Sequence, residues 1–315
     1  MSDHPPPPSA GSVPAAETVR LCKRYGQIKA VDELTMTVPA GGIHGFLGPN
    51  GSGKTTTVRM LLGLIPADSG TMRLFGEPVP ARLAQVIDKV GAIVEAPKFF
   101  DTFSARKNLA LLAQAIGAPL SRVGEVIEQV GLAGRERGDF RTYSLGMKQR
   151  LAVAATLLKD PQLLIFDEPT NGLDPQGIHD FRATVRQLAD AGKTVLVSSH
   201  ILAEVQQVAD TVTIIARGRT LAEGPVATLL AAGSDPVRAV VTDPARGAEL
   251  LRAAGLDVRS DGRALLVTRG DAALDPALVA RVLGEGGLWV SELSVLRRNL
   301  EQVYLELTGA VGGAA

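Results

Sequence analysis

The densest chemistry in this chain lies in GPNGSGKT, Gly48 to Thr55. Gly48, Gly51 and Gly53 let the backbone curl so that successive N–H groups converge, and the helix expected to follow adds a field that favours anions. Those are the parts of a phosphate cradle. Lys54 would bring its ammonium between the β- and γ-phosphates of a nucleotide, and the Thr55 hydroxyl would help to hold Mg²⁺. Pro49, Asn50, Ser52 and Thr56 count with them as nucleotide-binding positions. Further along, LLIFDE ends an apolar run on Asp167 and Glu168, at the strand edge where open α/β sheets bind ligands. Asp167 is expected to meet the magnesium directly or through water. Glu168 is expected to act as base or positioner for the attacking water. His200 ends TVLVSSH in the same way and is read as a γ-phosphate sensor, a role that rests on its neighbours because a lone histidine there is usually structural.

Between these groups stands YSLGMKQR, residues 143 to 150. Ser144 is a good N-cap for a helix beginning near Met147, and Gly146 keeps that entrance uncrowded. Two readings stay open. The segment is an ordinary capped helix, or it is a second anion-binding helix start, which makes sense if it serves a nucleotide held by another copy of the domain.

Positioning these residues requires alternating strands and helices. TVRLCKRYG and AVDELTMTV read as two strands joined around Tyr25 and Gly26, GGIHGFLG as a short apolar strand, and TTVRMLLGL as a helix stopped by Gly63 and Pro66. Residues 81 to 158 carry mainly helical patterns. Strands return in QLLIFDE and KTVLVSS, on either side of a helix around HDFRATVRQLADAG. The fold class is therefore α/β, a P-loop core whose mostly parallel sheet is covered on both faces, with a helical subdomain at about 95–158. The first 17 residues, with four consecutive prolines, are expected to be a flexible tail, the nucleotide-binding domain to run from 18 to 225, and an accessory α+β domain from 226 to 315. That last part reads βαββαβ plus a terminal helix, the order of a ferredoxin-like domain.

Composition removes several alternatives. Basic and acidic side chains are equal in number at 33 each, so there is no long-range attraction for a nucleic-acid backbone, and no nucleic-acid partner is expected. Apolar runs such as LAVAATLL fall short of the roughly 20 residues that cross a bilayer, and the N-terminus lacks the look of an export signal. One cysteine, Cys22, excludes an internal disulfide.

GPNGSGKTT, YSLGMKQR, LLIFDEP, NGLD and His200, in that order, resemble the nucleotide-binding subunit of an ABC transporter. The resemblance implies two cassettes paired head to tail, most simply as a homodimer, each ATP lying between the phosphate loop of one and the YSLGM helix of the other. It also implies a separate multispanning permease, with the subunit held through it at the cytoplasmic face of the membrane. Tyr25 resembles the aromatic residue that stacks on adenine, and Asp174 of NGLD the residue that links the two sites. The alternatives are strand packing for Tyr25 and a helix cap for Asp174.

Two departures stand out. The common family signature is LSGGQ, and YSLGM matches it at Ser144 and Gly146 only. Where the family usually has glutamine between core and helical region, GAIVEAP offers Glu95, which accepts a hydrogen bond from a metal-bound water but lacks the amide donor. Both departures occur in a bacterial exporter branch resembling bacitracin, lantibiotic and daunorubicin self-resistance ATPases, and so imply export of a hydrophobic drug, antibiotic or lipid-like compound. Phe99, Phe100 and Phe103, near a turn after Glu95, are read either as a partner surface or as ordinary subdomain core. The rival function is a non-transport ABC ATPase that remodels nucleic-acid, ribosomal or protein complexes. A nucleotide-binding regulator without turnover is a third.

Overall fold

The computed structural model describes residues 13–94, 98–231, 235–270 and 273–312. The chain opens with a hairpin, β1 (Ala16–Tyr25) and β2 (Ile28–Val38). Its turn falls at Gly26, where φ of +58° suits glycine. Order starts earlier than the sequence suggested: Ala15 and Ala16 are fully buried. β3 (Gly42–Leu47) runs into α1 (Lys54–Leu61). The next two strands, β4 (Ser69–Leu74) and β5 (Glu77–Val79), join the hairpin in an antiparallel sheet of order β2-β1-β4-β5 that the sequence reading did not foresee.

A short α2 (Leu83–Val86) leads to β6 (Val90–Ile93). Helices α3 (Ala105–Ile116), α4 (Ser121–Gln129) and α5 (Leu145–Thr156) follow. Ser104 caps α3 by accepting from the Lys107 N–H, and Gly117, at φ +71°, ends it in the left-handed conformation. The expectation of a mainly helical segment over 81 to 158 thus holds from α3 onward, but β6 at its start belongs to the main sheet.

That sheet is completed by β7 (Leu163–Asp167), α6 (Pro175–Asp190), β8 (Thr194–Ser199), α7 (Leu202–Gln206), β9 (Thr211–Ala216) and β10 (Arg219–Pro225), with α8 (Val226–Ala231) beyond. Its order is β10-β9-β3-β8-β7-β6. All pairs from β9 to β6 are parallel, and β10 is an antiparallel edge. Every residue of β7 and β8 is buried, as a parallel sheet covered on both faces requires. Phe46, Leu163, Ile165 and Leu196 of this sheet share one core with Leu21, Leu34 and Met36 of the hairpin and with Val58, Met60 and Leu61 of α1. That packing seats the N-terminus of α1 at the end of β3.

The chain divides into two units, Met1–Val226 and Ala227–Ala315. In the second, β11 (Val237–Val241), α9 (Pro244–Ala253), β12 (Asp257–Asp261), β13 (Ala264–Thr268), α10 (Pro276–Glu285), β14 (Val290–Val295) and α11 (Leu300–Gly312) follow one another. The sheet order is β12-β13-β11-β14, antiparallel throughout, which is the split arrangement of a ferredoxin-like fold. Alternate residues Val237, Ala239 and Val241 of β11 face Leu251 of α9 and Leu283 of α10 in a core of their own.

Candidate functional site

The phosphate loop bridges β3 and α1. A side chain at position 48 would put its Cβ 2.4 Å from the Ile215 carbonyl oxygen and 2.7 Å from Ser52 Oγ, and one at 53, where φ is +106°, 2.5 Å from the Ala30 carbonyl oxygen. Only glycine fits either place. The Ser52 Oγ is buried without a hydrogen-bond partner among the described residues, a rare condition for a hydroxyl that points to a ligand. Pro49, Asn50 and Gly51 are exposed at the loop's tip, while Thr55 and Thr56 are half-buried in the first turn of α1. Lys54 folds back over the loop: its Nζ donates to the carbonyls of Gly48 at 2.7 Å and Pro49 at 3.2 Å and lies 3.1 Å from Glu168 Oε1.

Strand register brings the remaining catalytic candidates to this place. β3, β8 and β7 are neighbours with their C-terminal ends together, and Asp167 pairs with Ser198. Asp167 is buried and accepts a hydrogen bond from the Ser198 hydroxyl on Oδ1. Glu168 follows at φ +49°, a conformation that costs a non-glycine residue about 1–3 kcal/mol and gathers at functional sites. Its N–H donates to Ser198 Oγ at 3.0 Å and to the Ser198 carbonyl at 3.2 Å. His200 Nδ1 lies 2.8 Å from Glu168 Oε2. A carboxylate can only accept, so Nδ1 carries the proton and Nε2 is left to meet a ligand.

Lys54, Glu168 and His200 thus form one chain of contacts, to which Asp167 is joined through Ser198. Asp167, with one oxygen taken by Ser198, and the Thr55 hydroxyl are hard oxygen donors of the kind that fit Mg²⁺, an ion usually held by one or two protein groups together with phosphate and water. Sequence reasoning missed Ser198. Its only signal was a polar residue inside the buried run TVLVSS.

A second group assembles at the starts of α5 and α6. Ser144 is exposed and accepts from the Met147 N–H at 3.3 Å, so α5 begins at Leu145, two residues ahead of the expected Met147, and Gly146 lies inside its first turn. A Cβ at Gly146 would lie 3.8 Å from Gly177 Cα, and one at Gly172 3.2 Å from Leu145 Cδ2. The leucine that replaces the signature's first glycine thus lies beside the loop leading to Asp174. Asp174 caps α6, accepting from the Gly177 N–H at 2.8 Å, with Pro175 in the first turn. Within one chain Ser144 and Asp174 both act as helix caps.

Tyr25 stands at the end of β1 with its side chain half exposed and the Lys23 ammonium 5.8 Å from the ring centre, so strand packing does not use it up. Glu95 lies outside the described residues. Of the three phenylalanines, Phe99 packs edge-on to Phe140 at 5.1 Å, Phe103 lies under Lys107 at 3.6 Å, and Phe100 is 62% exposed. Phe99 belongs to the subdomain's packing, and Phe100 is the one that faces outward.

A P-loop core with an acidic pair and a histidine at the strand ends, and with a helical subdomain inserted before β7, defines a nucleoside-triphosphate-hydrolysing cassette. Comparison with known proteins agrees. The family model described as ABC transporter matches residues 31–171. The bacitracin transport ATP-binding protein of Bacillus licheniformis is 47% identical over 66% of this chain and 69% of its own length. A daunorubicin resistance ATP-binding protein of Streptomyces coeruleorubidus is 36% identical over 91% of this chain and 93% of its own. A solved ATP-binding subunit of an ABC transporter, 22% identical, superposes with a TM-score of 0.63 over 93% of this chain and 99% of that one, a likeness of fold. The chain belongs to the ATP-binding subunits of ABC transporters, and it is an ATPase. Among its described residues no helix is long and apolar enough to cross a membrane.

Proposed function

We propose that two copies of this ATPase pair head to tail around Mg-ATP and that their closing and opening drives a separate membrane permease, which exports a hydrophobic drug, antibiotic or lipid-like compound. The observation that carries the pairing is the division of anion-binding features into two groups. The phosphate loop with Asp167, Glu168 and His200 forms one group, and the exposed, Ser144-capped start of α5 beside the Asp174 loop forms the other. A nucleotide held by the first group of one copy would be completed by the second group of its partner.

In this scheme Lys54 leaves Glu168 to neutralise the terminal phosphates, and Tyr25 stacks on adenine. Thr55 and Asp167 would hold Mg²⁺, which when bound would screen the charge on the phosphate oxygens. Glu168, freed on one oxygen and still oriented by His200 on the other, turns a water in line with the γ-phosphorus and draws off its proton. His200 Nε2 reaches the γ-phosphate, and Asp174 links the two sites. Once phosphate leaves, the closed pair loses the interaction that favoured it, and the population returns to the open state.

Support for the cargo class comes from the relatives named for bacitracin transport and daunorubicin resistance. The test is purification of the Glu168→Gln complex from membranes with ATP. Recovery of a multispanning permease in stoichiometric amount supports the reading; ribosomal or nucleic-acid machinery in its place overturns it.

A further inference from the structure

We infer that Ser198 is a positioning residue that aims Asp167 and Glu168 at their separate tasks, so that one hydroxyl couples metal affinity to water activation. The inference rests on the reading in which Asp167 holds Mg²⁺ and Glu168 orients water. Ser198 is fully buried near the end of β8, opposite Asp167 in register. Its Oγ donates to Asp167 Oδ1 and accepts from the Glu168 N–H at 3.0 Å. Both bonding directions of one hydroxyl are thus spent on two consecutive acidic residues.

The geometry has a physical purpose. Asp167 has two oxygens, and a donor fixed on Oδ1 sets the side-chain rotamer and leaves Oδ2 for the cation. Glu168 sits at φ +49°, a conformation that has to be held by its surroundings. Its N–H is held by both Ser198 oxygens. Without the hydroxyl, the carboxylate of Asp167 is free to turn and the Glu168 peptide loses one of its two acceptors. Groups that orient metal ligands from behind typically change metal affinity or activity by about 10- to 100-fold when removed.

A buried serine that merely satisfies the core makes a different prediction, and Thr194 provides the comparison. It lies at the other end of the same strand, is also buried, and accepts from the Gly41 N–H at 2.7 Å. Removing either hydroxyl costs a buried hydrogen bond, but only Ser198 touches the acidic pair.

The experiment measures the thermal midpoint of the full chain with ATP across a magnesium titration, with EDTA as the zero point. Ser198→Ala, Ser198→Cys, Thr194→Ala and Asp167→Asn are compared with the parent. Cysteine keeps the side chain's shape with a somewhat larger and much weaker donor in place of a lost atom, so a failure of the alanine variant to fold still leaves a usable result. The expected outcome is a rise of about ten-fold in the magnesium half-saturation point for both Ser198 variants, with the ATP shift in EDTA retained and kcat lowered more than KM changes. Thr194→Ala lowers the midpoint but keeps the parent's magnesium response. A magnesium response in Ser198→Ala or Ser198→Cys within about two-fold of the parent, beside a strong loss in Asp167→Asn, overturns the role of Ser198 alone. A parent-like response in Asp167→Asn overturns the assignment of Asp167, and this inference with it.

Discussion

At the scale of single residues, the site is built from groups whose geometry leaves little choice. Gly53→Ala forces a Cβ to 2.5 Å from the Ala30 carbonyl at a backbone angle only glycine accepts readily, and it is expected to destabilise the fold by about 2 kcal/mol or more; urea unfolding measures it. Glu168→Gln keeps size and a hydrogen-bonding oxygen but cannot take a proton. Phosphate release is expected to fall by about 100-fold or more, while ATP binding, read by titration calorimetry, stays. Most of these residues were legible because their types and order carry a mechanism. Ser198 was not, since a serine in an apolar run shows what it faces only once β7 and β8 are paired in register. The Ser144 and Asp174 caps were legible locally, but not their closeness through Leu145, Gly172, Gly146 and Gly177, which depends on packing α5 against α6.

At the scale of elements, the longer helices, the apolar strands, the half-exposed hairpin of β1 and β2 and the βαββαβ order of the last part were read from the sequence, whereas β4, β5 and β6 were not. β4 buries only Met72 and Leu74 of its six residues, and β6 is four residues long, too little pattern to separate from a loop or a helix end. The start of α5 slipped because Leu145 and Gly146 look like loop residues until the bond from the Met147 N–H to Ser144 Oγ fixes the cap. Between β3 and β9 lies a feature with a pH signature. His44 is fully buried, Nδ1 2.8 Å from Thr211 Oγ1 and Nε2 2.9 Å from Thr213 Oγ1, and burial lowers its pKa from 6.5 to about 3. The unfolded chain then binds a proton that the native chain refuses. Stability is full above about pH 6.5 and falls toward pH 3 by about 1.4 kcal/mol per unit from this group. Urea midpoints of His44→Gln against the parent, from pH 7.5 down to 5, are expected to show the shallower slope in the variant.

At the scale of the whole molecule, the chain divides into two units, and the second has a core of its own. The phosphate loop, Asp167, Glu168 and His200 all belong to the first unit, so in a calorimetric scan Mg-ATP is expected to raise the transition of that unit by several degrees; a transition that stays in place contradicts a nucleotide site there. The paired mechanism itself is tested most directly by the solution mass of Glu168→Gln in Mg-ATP, alone and with Ser144→Arg added. Sharing of each nucleotide between two copies predicts the mass of two chains for Glu168→Gln and of one chain for the double variant, with ATP still bound to that single chain. A Glu168→Gln protein that binds Mg-ATP and remains a single chain, or a double variant that still pairs, contradicts it.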